Sequence, residues 1–212
     1  VALVTGSASG IGSAVAVRLA NEGFDTIVNY SQSADSASDT AEKCTAAGSD
    51  TLLVQCDVSN EAGVESMLDD IEKKYGRLDV VVNNAGTSIS TLAKDFDKVS
   101  EEEFDRVLAV NVKGMFLVAK HSKALLNKGV DPCIINTASI VGLRPGPQPL
   151  PYSASKAAVI SMTQSLSFAL GPKVRVNAVA PGWMEGKWME RMLGENYEKL
   201  MERRAKMTPL KR

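Results

Sequence analysis

The chain has 212 residues, 44% of them hydrophobic and 23% charged, with 24 Lys plus Arg set against 25 Asp plus Glu. That length suffices for one substantial core. The near-neutral balance gives no global reason to expect nucleic acid, and no apolar run is long enough to cross a bilayer. Cys44, Cys56 and Cys133 are far apart and His121 is the only histidine, so no metal-ligand spacing exists and His121 is given no role. Cys56 and Cys133 lie in apolar runs and read as buried thiols, and a reduced cytoplasmic setting fits.

VALVTG (1–6) reads as a first strand closed by glycine, and Ile11, Val15 and Leu19 follow at helical spacing. DTIVNY (25–30) is the second strand. Residues 33–47, rich in Ala and Ser, form a helix that Gly48 ends. TLLVQCDV (51–58) is the third strand, before a helix over about 61–75. LDVVVNNAG (78–86) is the fourth. One long helix is predicted from Ser100 to Leu126, opened by a Ser100–Glu103 capping box. PCIINTAS (132–139), a helix from Tyr152 to Leu170 and VRVNAVAP (174–181) complete the series.

Runs such as VVV and CIIN are apolar throughout rather than alternating, which predicts parallel strands buried on both faces. The βα alternation predicts a doubly wound parallel α/β sheet. This is a three-layer Rossmann fold in a single domain over residues 1–212. The first residue already belongs to a strand and the last follow a charged helical stretch, so trimming at both ends is expected. The stiff loop LRPGPQPLP (143–151) follows the fifth strand, at the sheet edge where such folds bind ligands.

Gly6, Gly10 and Gly12 stand between the first strand and the first helix, spaced G-x-x-x-G-x-G rather than G-x-G-x-x-G. Glycines allow a tight turn and close backbone approach, and a helix N-terminus offers free N–H groups to a pyrophosphate. Ser7 and Ser9 add hydroxyl donors, and Ile11 shares the turn. Together they point to a bound dinucleotide. The turn lacks the Gly-Lys-Ser/Thr ending of a P-loop NTPase. A carboxylate at the end of the second strand would hold a ribose 2′-hydroxyl and favour NAD. Asn29, Tyr30 and Ser31 stand there instead, with no acid from Thr26 to Ala34. A 2′-phosphate meets no repulsion, so NADP is the expected cofactor, with NAD the alternative.

In PYSASKAAV (151–159), Tyr152 and Lys156 share one helix face. A nearby ammonium favours the phenolate. Bringing a tyrosine pKa from about 10 to about 7 takes roughly 4 kcal/mol. One exposed lysine cannot supply that, whereas several positive groups in a dry cleft can. Taken singly, Ser139 reads as a turn cap, Tyr152 as a packing residue and Lys156 as a solvated charge.

Taken together, TGSASGIG (5–12), CDV (56–58), NNAG (83–86), Asn111, Ser139, YSASK (152–156) and PG (181–182) resemble the short-chain dehydrogenase/reductase family. The motifs occur in the family's order over nearly the whole chain. The likeness is strongest to 3-oxoacyl-(acyl-carrier-protein) reductases and similar ketone reductases.

The resemblance implies roles residue by residue. Tyr152 is the acid or base. Lys156 lowers its pKa and bonds the nicotinamide ribose, Ser139 holds the substrate oxygen, and Asn111 supports a water in a proton relay. Asp57 and Val58 line the adenine pocket. Asn83, Ala85 and Gly86 lie beside the cofactor, and Pro181 and Gly182 near the nicotinamide. Gly186 stands where the family often has a Thr, so the usual carboxamide contact has to come from a backbone group or a shifted loop, if it is made at all.

The implied reaction moves a hydride between NADP(H) and a ketone or secondary alcohol, with a 3-oxoacyl thioester as the leading substrate. An NAD-dependent alcohol or sugar dehydrogenase is the alternative within the family. A non-catalytic dinucleotide-sensing protein would have no need of Ser139, Tyr152 and Lys156 together. Trp183, Met184, Trp188, Met189 and Met192 fall where the family forms a lid over substrate. Met suits an apolar wall, and ordinary helix packing would account for the cluster equally well. The helices at 100–127 and 152–170 resemble those that build family homotetramers.

Overall fold

The computed structural model describes residues 1–211, without the side chains of Lys187 and Arg191. Its strands are β1 (Ala2–Val4), β2 (Thr26–Tyr30), β3 (Leu52–Gln55), β4 (Val80–Asn83), β5 (Cys133–Thr137) and β6 (Arg175–Val179). All are parallel and lie in the order β3-β2-β1-β4-β5-β6. The order reverses between β1 and β4. The carboxyl ends of those two strands therefore open onto the crevice that a doubly wound sheet offers a ligand.

Helices α1 (Gly10–Asn21), α2 (Ala34–Ala46), α3 (Glu61–Tyr75), α4 (Glu101–Leu108), α5 (Met115–Asn127), α6 (Ile140–Leu143), α7 (Leu150–Leu170), α8 (Lys187–Leu193) and α9 (Tyr197–Met207) connect and follow the strands. Successive side chains on a strand face opposite ways; in the inner strands both sides are covered, while the edge strands β3 and β6 are largely open. Ala2, Val4, Val28 and Val82 pack with Ala16 and Ala20 of α1 and with Ala37 and Cys44 of α2. Leu3, Ile27, Val81, Ile134 and Val176 pack with Val64, Met67 and Ile71 of α3 and with Leu117 and Val118 of α5. Two-sided burial is what continuously apolar strands require. Among the described residues, no helix is long and apolar enough to cross a membrane.

Local signals set the helix ends. Ser100 and Glu103 form the expected reciprocal cap on α4. Gly76, at φ +71°, ends α3 in the left-handed conformation that glycine reaches without strain. Pro151 stands in the first turn of α7, where its missing N–H leaves no bond unmade.

The single helix expected from Ser100 to Leu126 is interrupted. Between α4 and α5, residues Ala109–Gly114 form a π-helical turn. At its end, a Cβ on Gly114 would stand 2.7 Å from Val58 Cγ2, so only glycine lets the turn seat against that residue. His121 is not solitary: its two ring nitrogens lie 3.0 Å from Glu61 and 3.6 Å from Glu65, linking α5 to α3.

Candidate active site

The glycines of the β1–α1 turn differ in what they face. Gly6 and Gly10 adopt φ +60° and +58°. A Cβ on Gly6 would lie 2.7 Å from Ala85 Cα, and one on Gly12 2.5 Å from both Gly6 O and Asn84 Nδ2. A Cβ on Gly10 would meet nothing within 4 Å. Two glycines are thus set by packing, while the third borders open space at the N-terminus of α1. The first N–H groups of a helix have no intrahelical acceptor, and Ser9 beside them is exposed. Ile11 is half-buried in the same turn.

Two of the polar contacts expected for the cofactor turn inward. The Ser7 hydroxyl donates to Val4 O at 2.7 Å and accepts from Asn29 N at 3.0 Å, with the residue fully buried. Asn29 accepts from Gly6 N at 3.1 Å and donates to Cys56 O at 3.1 Å. Both groups are spent fastening the glycine turn to β2 and to the end of β3. At the end of β2, half-buried Tyr30 packs at the margin of the core under α1 and α2, and Ser31 is exposed.

A second inward turn occurs on β4. Asn83 donates to Asn136 Oδ1 at 2.9 Å, and Asn136 donates to Thr163 Oγ1 at 3.0 Å. This ladder ties β4, β5 and α7 together through the Asn83 amide nitrogen, while Asn83 Oδ1 stays buried without a partner beside a small cavity that Thr5, Val58 and Ala85 also line. Two motif residues given no role by the sequence reading do the joining above it. Thr5 Oγ1 accepts from Asn84 N and Ala85 N, both at 3.0 Å. Asn84 Nδ2 donates to Thr5 O at 3.1 Å and to Gly6 O at 3.0 Å. Their membership of TGSASGIG and NNAG is the only sequence signal they give. Ala85 and exposed Gly86 then lead toward the reacting groups.

Ser139 caps α6, accepting from Val141 N at 3.4 Å. Its hydroxyl stands near enough to the Tyr152 phenol to pull that phenol's pKa down. Tyr152 lies in the first turn of α7, and Lys156 one turn on. Lys156 is buried, not solvated: it is 5% exposed and donates to Thr137 O at 2.6 Å. Its Nζ lies 5.7 Å from the Tyr152 ring centroid.

Burial dominates both pKa values. It pulls Lys156 down to about 8. It pushes the Tyr152 phenol up, against the smaller downward pull of the Ser139 hydroxyl. The protein's own groups therefore do not lower the phenol, because desolvation of a buried acid outweighs them.

Asn111 is buried in the π turn and fully bonded. Its amide accepts from Thr87 N at 2.8 Å and donates to Thr87 O and Ser155 Oγ, each at 2.9 Å. Ser155 in turn donates to Tyr152 O at 2.7 Å. A Cβ on Gly86 would lie 3.4 Å from Asn111 Oδ1 and 3.6 Å from Lys156 Nζ, so these three residues converge. Thr87 and Ser155 were not foreseen as partners.

At the far end of the crevice, burial pushes Asp57 up, but hydrogen bonds from Ser59 and the Arg106 guanidinium hold it below the usual carboxylate range. Val58 is buried against Gly114. Pro181 O accepts from Ile140 N at 3.0 Å, joining the turn after β6 to the helix that Ser139 caps, and Gly182 is exposed beside it. Gly186, at φ +141°, donates its N–H to Tyr197 Oη at 3.3 Å. The aromatic cluster divides: the Trp188 ring lies 5.7 Å from that of Tyr152, and Arg204 sits 4.5 Å over Trp183. An apolar hollow of about 360 Å³ lies beside the site, lined by Phe96, Val99, Phe104, Leu150 and Pro151, the last adjoining Tyr152.

Residues 1–197 match the family model described as short chain dehydrogenase. A protein named for ketoacyl reduction in granaticin polyketide synthesis in Streptomyces violaceoruber is 38% identical over the whole chain and 83% of its own length. A 3-oxoacyl-(acyl-carrier-protein) reductase of Staphylococcus aureus is 34% identical over 94% of this chain and 80% of its own. A solved structure from Burkholderia xenovorans, described as a short-chain dehydrogenase/reductase, superposes with a TM-score of 0.91 at 32% identity. It covers 100% of this chain and 83% of that one.

Proposed function

The chain belongs to the short-chain dehydrogenase/reductase family, and from that premise we propose that it reduces a ketone with NADPH, holding the reacting oxygen between Ser139 and Tyr152. Membership makes it an NAD(P)-dependent oxidoreductase acting on CH–OH or keto groups. The observation that carries the finer reading is the convergence of Ser139, Tyr152, Lys156, Gly86 and Asn111 at the carboxyl ends of β4 and β5.

The residues present fit a dinucleotide. Gly10 borders open space at a helix N-terminus suited to pyrophosphate. Tyr30 and Ser31 offer a 2′-phosphate polar groups without negative charge, which supports NADP over NAD. Asp57 and Val58 suit the adenine, and Ala85, Gly86, Pro181 and Gly182 the nicotinamide end. When bound, the nicotinamide supplies the hydride. Ser139 donates a hydrogen bond to the carbonyl oxygen, and Tyr152 gives it a proton as negative charge develops there. Lys156 has N–H donors beyond the one used on Thr137 and would hold the nicotinamide ribose. Because burial raises the phenol, the positive charge that lowers it has to come partly from outside the protein. The amide of Asn111, committed to Thr87 and Ser155, fixes the backbone on which a proton relay would run.

A 3-oxoacyl thioester is the substrate we assign first, since relatives are named for that reaction. Exposed Phe116 on α5 and Phe168 on α7 support a homotetramer built on those helices. Three unpaired, buried cysteines support a reducing, cytoplasmic setting.

The test is initial rates of NADPH and NADH oxidation by full-length protein with an acetoacetyl thioester. Fast turnover preferring NADPH is expected. Folded protein that binds NADPH but does not turn over the thioester would refute the substrate assignment. Preference for NADH together with oxidation of secondary alcohols would refute the direction and the cofactor.

A further inference from the structure

The carboxylate of Asp57, just beyond β3, is ion-paired to an arginine of α4. Its Oδ1 accepts from Ser59 N at 2.9 Å and from Ser59 Oγ at 2.7 Å. Its Oδ2 takes Arg106 Nη1 of α4 at 3.0 Å. The same Nη1 donates to Ser59 Oγ at 3.0 Å, closing a three-residue ring. A carboxylate offers about four acceptor positions. Ser59 fills two of them on Oδ1, and Oδ2, ion-paired to Arg106, keeps room for a further donor.

Arg106 reaches across sequence to do this, and it stands five residues before Asn111 on the same helical segment. Its side chain is 48% exposed, so as a surface ion pair it would add little stability. Its geometry has a more specific consequence. An oriented acceptor selects a donor, and the exocyclic amine of adenine is a donor at the edge where hypoxanthine carries a carbonyl oxygen.

Resting on the proposed reading of Asp57 and Val58 as the adenine site, we infer that Arg106 is a positioning residue that aims Asp57 at the adenine amine and so sets the choice of base. Without the guanidinium, Asp57 keeps its Ser59 bonds but is free to turn Oδ2 toward solvent. The site then loses its preference for a donor while the pyrophosphate and nicotinamide ends of the crevice stay intact.

The experiment measures equilibrium binding of NADPH and of nicotinamide hypoxanthine dinucleotide phosphate to full-length protein by quenching of tryptophan fluorescence. Wild type, Arg106→Leu and Ser59→Ala are compared after circular dichroism shows each is folded. Wild type should prefer the adenine form by about ten-fold, the value of one charge-assisted hydrogen bond. Arg106→Leu should weaken NADPH by about that factor and leave the hypoxanthine form nearly unchanged, so the ratio collapses. Ser59→Ala should reduce the ratio in the same direction, and it carries the test if the arginine variant does not fold. Equal weakening of both cofactors in both variants would mean that the ring only braces the fold, and would overturn the inference. Wild type that binds both forms alike would overturn it too. Folded wild type that binds neither would instead overturn the dinucleotide reading itself.

Discussion

Lys156 should make this protein less stable at neutral pH than a variant lacking its charge. Its ordinary pKa is 10.5 and burial brings it to about 8. That difference corresponds to about 3 kcal/mol of unfavourable burial while the group is charged. Met has a similar unbranched length and no charge, so Lys156→Met removes the cost. It also leaves Thr137 O without the donor now at 2.6 Å, a loss of about 1 kcal/mol. The net expectation is a gain of about 2 kcal/mol at pH 7, or roughly 4–8 °C in Tm for a chain of this size. Between about pH 8 and 10.5 the unfolded chain holds more protons at this residue than the folded one. Raising the pH through that window therefore favours the folded state of the wild type. The variant lacks this term, so its advantage should shrink as the pH rises and be gone near pH 10. Thermal unfolding by circular dichroism from pH 7 to pH 10, in the absence of cofactor, measures both effects. A variant that is less stable than wild type at pH 7, or whose advantage does not change with pH, would refute the argument that burial sets the state of Lys156. Turnover should be lost at every pH.

Tyr152→Phe should lower kcat by about 10²- to 10⁴-fold, the range for removing a general acid, while NADPH binding followed by fluorescence stays close to wild type. Gly12→Ala should destabilise the fold, by about 1–3 kcal/mol in a urea titration, because its Cβ would collide with Gly6 O at 2.5 Å. Gly10→Ala meets no atom and should cost only the strain of a left-handed residue, about 1–2 kcal/mol, yet weaken cofactor binding more than its stability loss suggests. Trp188→Ala uncovers the Tyr152 ring, which it faces at 5.7 Å. With less burial to raise the phenol, the pH dependence of kcat/KM attributable to Tyr152 should move to lower pH, together with a higher KM for substrate.

Strand and helix order was legible because it rests on repeated, local signals. Apolar runs such as VVV and CIIN survive any uncertainty about their ends, and the capping box at Ser100 needs only four residues to be recognised. The π turn at Ala109–Gly114 was not legible, since every residue from Glu101 to Asn127 is compatible with a straight helix. What breaks the helix is tertiary: Gly114 is seated on Val58, and the Asn111 amide is captured by Thr87 and Ser155. An asparagine inside an apolar helix was a visible oddity, but neither of its partners is near it in sequence. The state of Tyr152 and Lys156 was hidden for a similar reason. Spacing shows that two side chains share a face and says nothing of how dry that face is.

The motif residues themselves fall into two physical groups that sequence cannot separate. Gly6, Gly12, Ser7 and Asn29 are each consumed by protein contacts, and a substitution at any of them would first disturb the joint between β1, β2 and β4. Ser9, Gly10, Ser31 and Gly86 are exposed and keep their groups for a ligand. The two sets are interleaved along the chain, Ser9 and Gly10 falling between Ser7 and Gly12. A pattern recognised as a binding motif is therefore half scaffold. The same division bears on the reacting groups. Thr5, Asn84, Thr87 and Ser155 touch none of the three side chains assigned to chemistry by their own side-chain hydrogen bonds. Yet through Gly6, Ala85, Asn111 and the backbone of Tyr152 they hold those side chains in register with the crevice.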